Sequence, residues 1–581
     1  EGLSENALTI TTQRLNNNKR IAANSSIAIN ANSLNNNKAE SIIASGKDLD
    51  VNIIQLNNDL GTIESGNILK VRNLTSNNPT AAFLLSASDI NTIISNDLGK
   101  IKSLNVLDIN LNSSDYVIKG ELAADKNVII NAGNIVNEGK ISAGEMVQIS
   151  SSKDFTNGKI GEEKGSSQII SNGELSIIAA NNINNHSILS AGSKLSLKSL
   201  NKDINIFSKA ELLVGKQGDV SGSLIIEALK GSINQNSPNS VVVNGDHEIN
   251  AFDYTKTGRI DVAGSLTMNI ENDLVNDAGA LIYAGNDMFL NIVNNLSNKE
   301  NATIYAQNNL TIRKYDPTHA SYDASNNRIN KLDNISAEII SYAGNINIDA
   351  NTLNNQRKAL ATQGREVYYN YIDGYTFDYV HPNHHWGNKL YRSEKQGDST
   401  RASIINATNN LVINTANLVN NSSAIYAGND LTIKSNSIDN ISNIYRDYVR
   451  ATHRRTETGW SWVNLELYYT GTTYTPNLYP GGSGGRPNYH YEEGYNHENT
   501  RYKNTLYQEL AMIKAGGKLI GDIAGNINNT SYEHQADGSI KIGNAVANAV
   551  LQQTNVKAVV SGTQQVGNNI DPGAVVNGGV V

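Results

Sequence analysis

The stretch NSSAIYAGNDLTIKSNSIDNISN, from Asn421 to Asn443, contains the unit that recurs along most of this chain. Two short strands with apolar residues two positions apart flank the turn Ala-Gly-Asn-Asp, whose Gly428 can adopt a positive φ. Ile438 and Ile441, followed by asparagine, close the unit. A single unit cannot bury its own apolar side, so it is stable only when another unit stacks on it. The stretch therefore predicts stacked coils.

The composition agrees with many short strands joined by tight corners. The 581 residues include 88 asparagines, 47 glycines, 8 prolines and no cysteine. A net charge of −8, mixed along the chain, does not indicate nucleic acid as a partner. No apolar run has the length of a membrane span, and no secretory leader stands at Glu1, so we expect a processed or internal segment that does not span a membrane.

The same ending, Leu-Asn-Asn, recurs at Leu15, Leu34, Leu56 and Leu353. Antiparallel hairpins in a sandwich or barrel do not require the same residue at the same offset, whereas a coil stacked on its twin does. The pattern therefore favours an all-β fold, a right-handed parallel β-helix with coils of about 20–22 residues. Asparagines stacked at one corner are expected to form hydrogen-bonded ladders along the axis.

Two segments interrupt the repeat and divide the chain. The predicted organisation is a β-helix over 1–355, a Tyr/His-rich insertion over 356–402, coils over 403–443, a Tyr/Trp/Arg-rich insertion over 444–508, coils over 509–540, and a cap, linker or disordered tail over 541–581. The two insertions hold 17 of the 26 tyrosines, all three tryptophans and 6 of the 10 histidines. Such side chains offer a large contact area with a polar tip, so these insertions are the predicted binding surface. The alternative is that the rings form the insertions' own cores.

The candidate binding residues combine aromatic rings with an arginine pair. They are Trp460, Trp462, Tyr468, Tyr469, Tyr474, Tyr479, Arg454, Arg455, Tyr375, Tyr379 and Trp386. Arg454 and Arg455 belong to a basic run with interleaved tyrosines that is suited to acidic sugars or lipid headgroups. His381, His384 and His385 are close enough to suggest a metal site, but a solvated or ring-stacked loop is favoured, and no metal or cofactor is expected.

A polysaccharide-active enzyme is the alternative from another functional class. It needs acidic residues clustered on one face of adjacent coils. Asp287 and Asp430 recur at the same turn position, which indicates a structural role, so we expect no catalytic residues and no enzyme activity.

The line Tyr-Ala-Gly-Asn-Asp recurs in close copies that begin at Tyr283, Tyr305, Tyr342 and Tyr426. With its Leu-x-Asn endings this line resembles the haemagglutinin repeats of two-partner-secretion exoproteins, the family of filamentous haemagglutinin and of the CdiA-type contact-dependent growth inhibition proteins. The resemblance implies a secreted stalk at the bacterial cell surface and an outer-membrane transporter partner. It also implies a receptor or glycan on a target cell, approached either to deliver a C-terminal toxin to neighbouring bacteria or to adhere to host cells. Neither a secretion domain nor a toxin is recognisable, so a middle stalk section is expected, with toxin delivery favoured over host adhesion.

Overall fold

The chain is all-β in the part that the structure describes. This computed structural model describes residues 2–4, 6–74, 93–160, 166–216, 220–236, 241–316, 327–363, 367–370, 385–393, 395–396, 398–456, 463–470, 473–480, 496–534, 540–542 and 551–552. No helix occurs within these ranges, and thus none that could cross a membrane. Almost all of the strands belong to two long sheets.

The first sheet has 19 strands, each paired in parallel with the strand that precedes it in the sheet. Its strands are Gly2–Ser4, Arg20–Ala23, Ile42–Ser45, Thr62–Ser65, Lys100–Ser103, Glu121–Ala124, Lys140–Ala143, Gln168–Ser171, Ile188–Ala191, Glu211–Val214, Val241–Val243, Arg259–Val262, Leu281–Ala284, Thr303–Ala306, Glu338–Ser341, Ile404–Ala407, Ala424–Ala427, Met512–Ala515 and Leu551–Gln552.

The second sheet has 33 strands. They are Leu8–Asn16, Ile27–Asn35, Leu49–Asn57, Ile68–Asn73, Ile93–Ser95, Val106–Asn110, Tyr116–Ile118, Asn127–Ala132, Ile135–Asn137, Met146–Ser151, Phe155–Asn157, Glu174–Ala179, Ile183–Asn185, Lys194–Ser199, Ile204–Ile206, Gly222–Gln235, Gly245–Lys256, Leu266–Ile270, Asp273–Asn276, Met288–Ile292, Asn295–Asn298, Leu310–Arg313, Ile329–Ile335, Ile346–Gln356, Val367–Asn370, His385–Ser393, Leu411–Asn421, Leu431–Ser435, Ser437–Thr456, Asn496–Glu509, Leu519–Ile523, Ile527–His534 and Ile540–Ile542. Two small antiparallel pairs complete the fold: Thr362–Gln363 with Lys395–Gln396, and Val463–Thr470 with Thr473–Pro480.

The register repeats at the predicted interval. Ile21 pairs with Ile43, Ile43 with Ile63, and Tyr283 with Tyr305, which are offsets of 20 or 22 residues. Apolar residues alternate along the strands and are buried between the two sheets in one continuous core. Each strand thus pairs in parallel with the equivalent strand of the neighbouring coil, at a nearly constant sequence interval. This arrangement is consistent with a β-helix. The offset widens only where an additional segment lies between strands, as between Ile63 and Ile101.

Glycine occupies the repeated turn for a reason that differs from the prediction. Gly428 is not among the residues with a positive φ. A Cβ added there would lie 1.9 Å from the backbone oxygen of Thr408 in the preceding coil, and at Gly516 it would lie 2.0 Å from the oxygen of Gly428. The turn therefore requires glycine because consecutive coils approach closely there, and the positive φ that glycine permits is not used.

A buried ladder of asparagines runs along one corner, as the Leu-Asn-Asn endings predicted. Within each run of the ladder, the side-chain amide of one asparagine donates to the carbonyl oxygen of the asparagine in the next coil, at 2.7–2.9 Å. The members are Asn17, Asn36, Asn58, Asn96, Asn137, Asn157, Asn185, Asn276, Asn298, Asn334, Asn355, Asn420, Asn440 and Asn529. The same amides also donate to backbone carbonyls, so burial leaves few of their donors unpaired.

The ladder is broken where another residue type takes the corner. Ile206 pairs with Asn185, and Gln235 and Lys256 occupy the next two coils before Asn276 resumes the ladder. The amide nitrogen of Asn185 and the carbonyl oxygen of Asn276 are buried without a hydrogen-bond partner. Asn185 pairs with the apolar Ile206, and the Lys256 ammonium group beside Asn276 donates to two backbone carbonyls instead. Asn185 thus ends one run of the ladder and Asn276 begins the next. An earlier break separates Asn96, which donates to the Gly99 carbonyl, from Asn137, which pairs with Ile118, so the ladder has three runs.

Substituting Asn355 by alanine is expected to lower the free energy of unfolding by about 2–4 kcal/mol, since it leaves buried ladder partners unpaired and opens a cavity. Asn355 accepts from Asn334 and donates to Asn420 and to the Ala424 carbonyl. The exposed Asn351→Ala variant is the matched control. Urea unfolding followed by circular dichroism measures the difference, and equal midpoints for the two variants would contradict a stabilising ladder.

Both insertions enter one antiparallel sheet that continues the second sheet. Four strand segments form it: Val367–Asn370, His385–Ser393, the 443–456 part of Ser437–Thr456, and Asn496–Glu509. We call it the branch sheet. The strand Ser437–Thr456 pairs in parallel with neighbouring coils up to Ser442, and in antiparallel fashion with Asn496–Glu509 from Asn443 onward. The strand therefore changes partner between Ser442 and Asn443.

Strands also continue beyond the predicted end of the regular coils. Ile540–Ile542 pairs antiparallel with Tyr532–His534, and Leu551–Gln552 extends the first sheet by pairing with Ile513 and Lys514. Within the tail predicted over 541–581, Leu551–Gln552 therefore continues the parallel stacking, whereas Ile540–Ile542 folds back on the strand before it. Its residues 543–550 and 553–581 lie outside the described part.

Candidate functional site

The base of the branch sheet is a buried cluster that joins both insertions to the coils. Glu509 and Tyr445 are both fully buried, and the Tyr445 hydroxyl donates to Glu509 Oε2 at 3.4 Å. The other carboxylate oxygen, Glu509 Oε1, accepts the backbone N–H of Ala361 at 3.2 Å. Ala361 belongs to the first insertion and Tyr445 to the second. One carboxylate therefore ties the two insertions together.

The cluster extends to the coil that follows the insertions. The His534 ring stacks on Tyr445 at 4.7 Å, and His534 Nε2 lies 2.8 Å from the side-chain oxygen of Asn443. Tyr507 packs against Tyr445 at 5.9 Å, and its hydroxyl lies 3.2 Å from Ser399 Oγ of the first insertion. These contacts fix the direction in which the branch sheet leaves the stack of coils.

Burial shifts the titration of the two rings at this base. The pKa of Tyr445 is raised, first because burial disfavours the phenolate and second because the Glu509 carboxylate is close. Burial also lowers the pKa of His534. Tyr445 thus remains a neutral hydrogen-bond donor to Glu509 at physiological pH, which suits a permanent structural contact.

Truncating Glu509 to alanine is expected to increase hydrogen exchange at the Ala361 amide by about tenfold or more, because that N–H and the Tyr445 hydroxyl lose their acceptor. The control is Glu300→Ala, which removes a surface ion pair of 2.6 Å with Lys358 near the same insertion. Exchange measured by mass spectrometry gives the comparison. Unchanged exchange in the Glu509→Ala protein would show that the carboxylate does not tie the insertions together.

The structure brings several predicted binding residues together and leaves others undescribed. Arg455 is the cross-strand partner of Trp386, Arg454 pairs with Gly387, and His385 pairs with Thr456, so residues of both insertions meet at one end of the branch sheet. Trp460, Trp462, Tyr375, Tyr379, His381 and His384 lie outside the described residues.

Four predicted tyrosines lie in a hairpin within the second insertion. Val463–Thr470 pairs antiparallel with Thr473–Pro480, and Tyr469 is directly opposite Tyr474. Tyr468 faces Thr475, and Tyr479 faces Asn464, across the same ladder. The backbone pairing thus places all four tyrosines on a single two-stranded element.

No cluster of three or more His, Cys, Asp or Glu side chains able to hold a metal ion occurs in the described part of the chain. The recurrent acids have structural partners. Asp287 Oδ1 accepts the N–H of Asn309 at 3.0 Å, and Asp430 Oδ1 accepts the N–H of Lys518 at 2.8 Å. Their recurrence is explained by these bonds to the next coil, as the sequence indicated.

A row of tyrosines on the first sheet was not recognised from the sequence as a surface feature. The rings of Tyr283 and Tyr305 stack at 5.5 Å, and those of Tyr305 and Tyr342 at 6.2 Å, with Tyr342 59% exposed. Tyr283 and Tyr305 are direct partners on neighbouring strands, whereas Tyr305 pairs with Ile340 and Tyr342 follows the end of its strand. Ring stacking along the axis accounts for it as a stabilising ladder.

A groove of about 660 Å³ also crosses several coils near the N-terminal end. Small residues line most of it, together with Glu64, Lys102 and Asp125. Lys102 is paired with Glu121 at 2.9 Å, and Glu64 and Asp125 are exposed. An acid–base hydrolase requires one carboxylate in a desolvated setting, which these two exposed carboxylates do not provide.

Comparison with known proteins gives a partial similarity to two related proteins. The chain is 31% identical over 134 residues to the tRNA nuclease CdiA of Escherichia coli O6:K15:H31 (strain 536 / UPEC). The CdiA of Escherichia coli strain NC101 matches to the same extent. Part of this chain is similar to CdiA.

The alignment covers 21% of this chain and 4% of each CdiA. No family model matches the chain, and no solved structure matches it. The similarity supports an origin related to CdiA and to filamentous haemagglutinin, and it agrees with the resemblance seen in the repeated line.

Proposed function

We propose that this chain is a non-enzymatic segment of a secreted bacterial surface protein that presents a receptor-binding region for contact-dependent growth inhibition. In this proposal the coils form a right-handed parallel β-helix that serves as the stalk. An outer-membrane transporter exports the protein, and a receptor or glycan on a neighbouring bacterium is the target. The partial similarity to CdiA supports this class of protein.

The observation that carries the proposal is the branch sheet. Apart from the row of Tyr283, Tyr305 and Tyr342, the clearest copies of the repeat present mainly polar residues outward, which offer little that is distinctive to a partner. The branch sheet departs from this pattern, gathers aromatic and cationic residues from both insertions, and is anchored by the buried Glu509. A rigid base holds an aromatic-rich projection in a fixed orientation, which lowers the entropic cost of binding a partner.

The proposal that the coils form a stalk is tested by measuring the shape of the segment in solution. The first sheet contributes 19 stacked strands, and a spacing of about 4.8 Å gives a rod on the order of 90 Å long. Small-angle X-ray scattering of the segment is expected to show an elongated particle. A radius of gyration as small as that of a globular domain of this length would contradict the β-helical stalk.

The binding part is tested with labelled protein on intact cells. Saturable attachment to Gram-negative bacteria, displaced by unlabelled protein, is the expected result. Saturable attachment to epithelial cells and not to bacteria would instead support the host-adhesin alternative. Attachment to neither would contradict a receptor-binding role for this segment.

A further inference from the structure

A column of outward-facing residues crosses six consecutive strands of the first sheet. Direct cross-strand pairing places these residues one above the other: Tyr283, Tyr305, Ile340, Asn406, Tyr426 and Lys514. Each of them is partly exposed, whereas the strand positions on either side of each are buried. The column is therefore a continuous strip on the outer surface of the coils.

Two tyrosine rings on this strip turn a free face toward each other. The Tyr342 ring stacks on Tyr305 with an interplanar angle of 27°, although Tyr342 follows the end of its strand, and Tyr342 is 59% exposed. Farther along the strip, Lys514 Nζ lies over the Tyr426 ring, 6.0 Å from its centroid. Tyr305 and Lys514 thus cover the outer faces of the two rings. The inner faces of Tyr342 and Tyr426 point along the stack toward the coil of Asn406.

The coil between these two rings carries a short side chain, which leaves a slot. Asn406 occupies the place at which another ring would continue the row. Tyr342 and Tyr426 belong to coils two steps apart, a distance of about 10 Å. Van der Waals contacts on both faces of a guest ring take up about 7–8 Å, so the remaining ~2 Å suits a puckered, saturated ring better than a flat aromatic one.

The floor of the slot has an unsatisfied hydrogen-bonding group. Asn406 Oδ1 is buried without a hydrogen-bond partner, and a rotation of the amide turns this acceptor toward a hydroxyl donor in the slot. Ile340 and Ile404 flank the floor, and the nearby Glu338 carboxylate is paired with Arg401. The slot therefore combines two aromatic walls with one amide, and its floor carries no charged side chain.

We propose that the slot between Tyr342 and Tyr426 binds one hexose ring of an uncharged glycan. Tyrosine rings pack against the C–H faces of a sugar, and the Asn406 amide pairs with its hydroxyls. An acidic glycan would find no cation on the floor to pair with its charges. A single slot of this size binds weakly, with a Kd on the order of 1 mM. The inference goes beyond the proposed function, because the slot lies on the coils and not in either insertion.

The test uses the full chain and beads that carry polysaccharides. Dextran, mannan and galactan supply uncharged hexoses, and alginate is the charged reference. Retention on at least one neutral polysaccharide, eluted by its free oligosaccharide and unchanged by salt, is expected. Retention on none of the three, or stronger retention on alginate than on every neutral polysaccharide, would overturn the proposal.

Filling the slot tests the site without removing a wall. Asn406→Tyr supplies the ring that is missing from the row, so the unfolding midpoint is expected to stay the same or rise while retention falls by about tenfold or more. Retention equal to that of the unaltered chain would overturn the proposal.

Two wall variants and a matched control separate the slot from the rest of the row. Tyr342→Thr and Tyr426→Thr each remove one wall and keep a β-branched residue, and each is expected to weaken retention by about tenfold. Tyr283→Thr removes a stacked ring at the other end of the row and is expected to change retention by less than about twofold. Equal losses in all three proteins would show that the whole row binds the glycan and would overturn the slot as the site.

Two further measurements separate this site from other partners. Displacement from the beads by free tryptophan at a lower concentration than by the oligosaccharide would assign the slot to an aromatic side chain of a protein partner and overturn the proposal. A protein with a Gly-Ser turn in place of residues 447–505 is expected to keep its retention, and loss of retention would place glycan binding in the insertion instead. Asn406→Tyr is expected to attach to cells as the unaltered chain does, so the failure of either proposal leaves the other standing.

Discussion

Replacing residues 447–505 by a short Gly-Ser turn is expected to abolish attachment to target cells while the coils remain folded. The replacement removes the outer part of two branch-sheet strands and the tyrosine hairpin between them. It retains the base, where Arg446 pairs with Leu506 and where Tyr445 and Glu509 are buried. Closing a short turn there costs little, since the two chain segments already lie side by side.

The first insertion is affected as well. His385–Ser393 pairs with 448–456, so the replacement takes away its strand partner, and both insertions lose function together. We therefore expect the fraction of cells with attached protein to fall to background. A fall of only about half would be expected if the first insertion kept its own contribution. Flow cytometry with labelled protein on bacterial cells measures attachment, and β-rich circular dichroism with an unchanged unfolding midpoint shows that the coils persist.

The control replaces residues 75–92, which lie between two coil strands far from the insertions in sequence. This variant is expected to attach as the unaltered chain does. Attachment retained after replacement of 447–505 would move the binding role to the coils or to the first insertion alone. Unfolding of the coils would instead show that the rings of the second insertion belong to their core.

The parts of the fold that could be predicted depend on repetition. Alternating apolar residues and the Leu-Asn-Asn endings determined the strand positions, the coil interval and the asparagine ladder, because each is a local pattern copied at a fixed offset. The role of Gly428 was misassigned, since its constraint comes from Thr408 in the preceding coil. A contact with another coil cannot be read from one turn.

No repeated sequence pattern indicates that the two insertions pair with each other. Trp386 and Arg455 are 69 positions apart and belong to segments without a repeat, so neither composition nor spacing indicates that they are cross-strand partners. The insertions were considered as separate units for the same reason. The buried Glu509 was likewise taken as the first residue of the returning coil, although its burial between two insertions makes it the anchor of the candidate site.

The break in the asparagine ladder at Lys256 leads to the second large effect. Lys256 is fully buried, and its ammonium group donates to the backbone carbonyls of Gly258 and Leu281, the latter at 2.6 Å. Burial lowers its pKa to about 7, while the Asp261 carboxylate acts in the opposite direction. In the next coil, the side-chain oxygen of Asn276 is buried without a donor.

We expect Lys256→Asn to stabilise the protein, because asparagine at this corner removes a buried cation and supplies the missing donor to Asn276. The gain in the free energy of unfolding is expected to decrease as pH rises. Between pH 7 and the unfolded lysine's pKa near 10.5, the unfolded chain binds the proton that the folded chain has released. Stability of the unaltered protein therefore rises with pH in this window, by about 1.4 kcal/mol per unit from this group.

The stabilisation by Lys256→Asn is accordingly expected to be largest below pH 7 and to shrink toward pH 10. Buried Tyr116 and Tyr254, whose pKa values burial raises, act near pH 10 in both proteins, so they cancel in the difference. Urea unfolding at pH 6, 7.5 and 9 measures it, with the exposed Lys230→Asn as the control. A difference that stays constant from pH 6 to 9 would mean that Lys256 keeps its proton in the folded chain, held by the two carbonyls it contacts. A destabilised Lys256→Asn protein would show that those two bonds outweigh the repaired ladder.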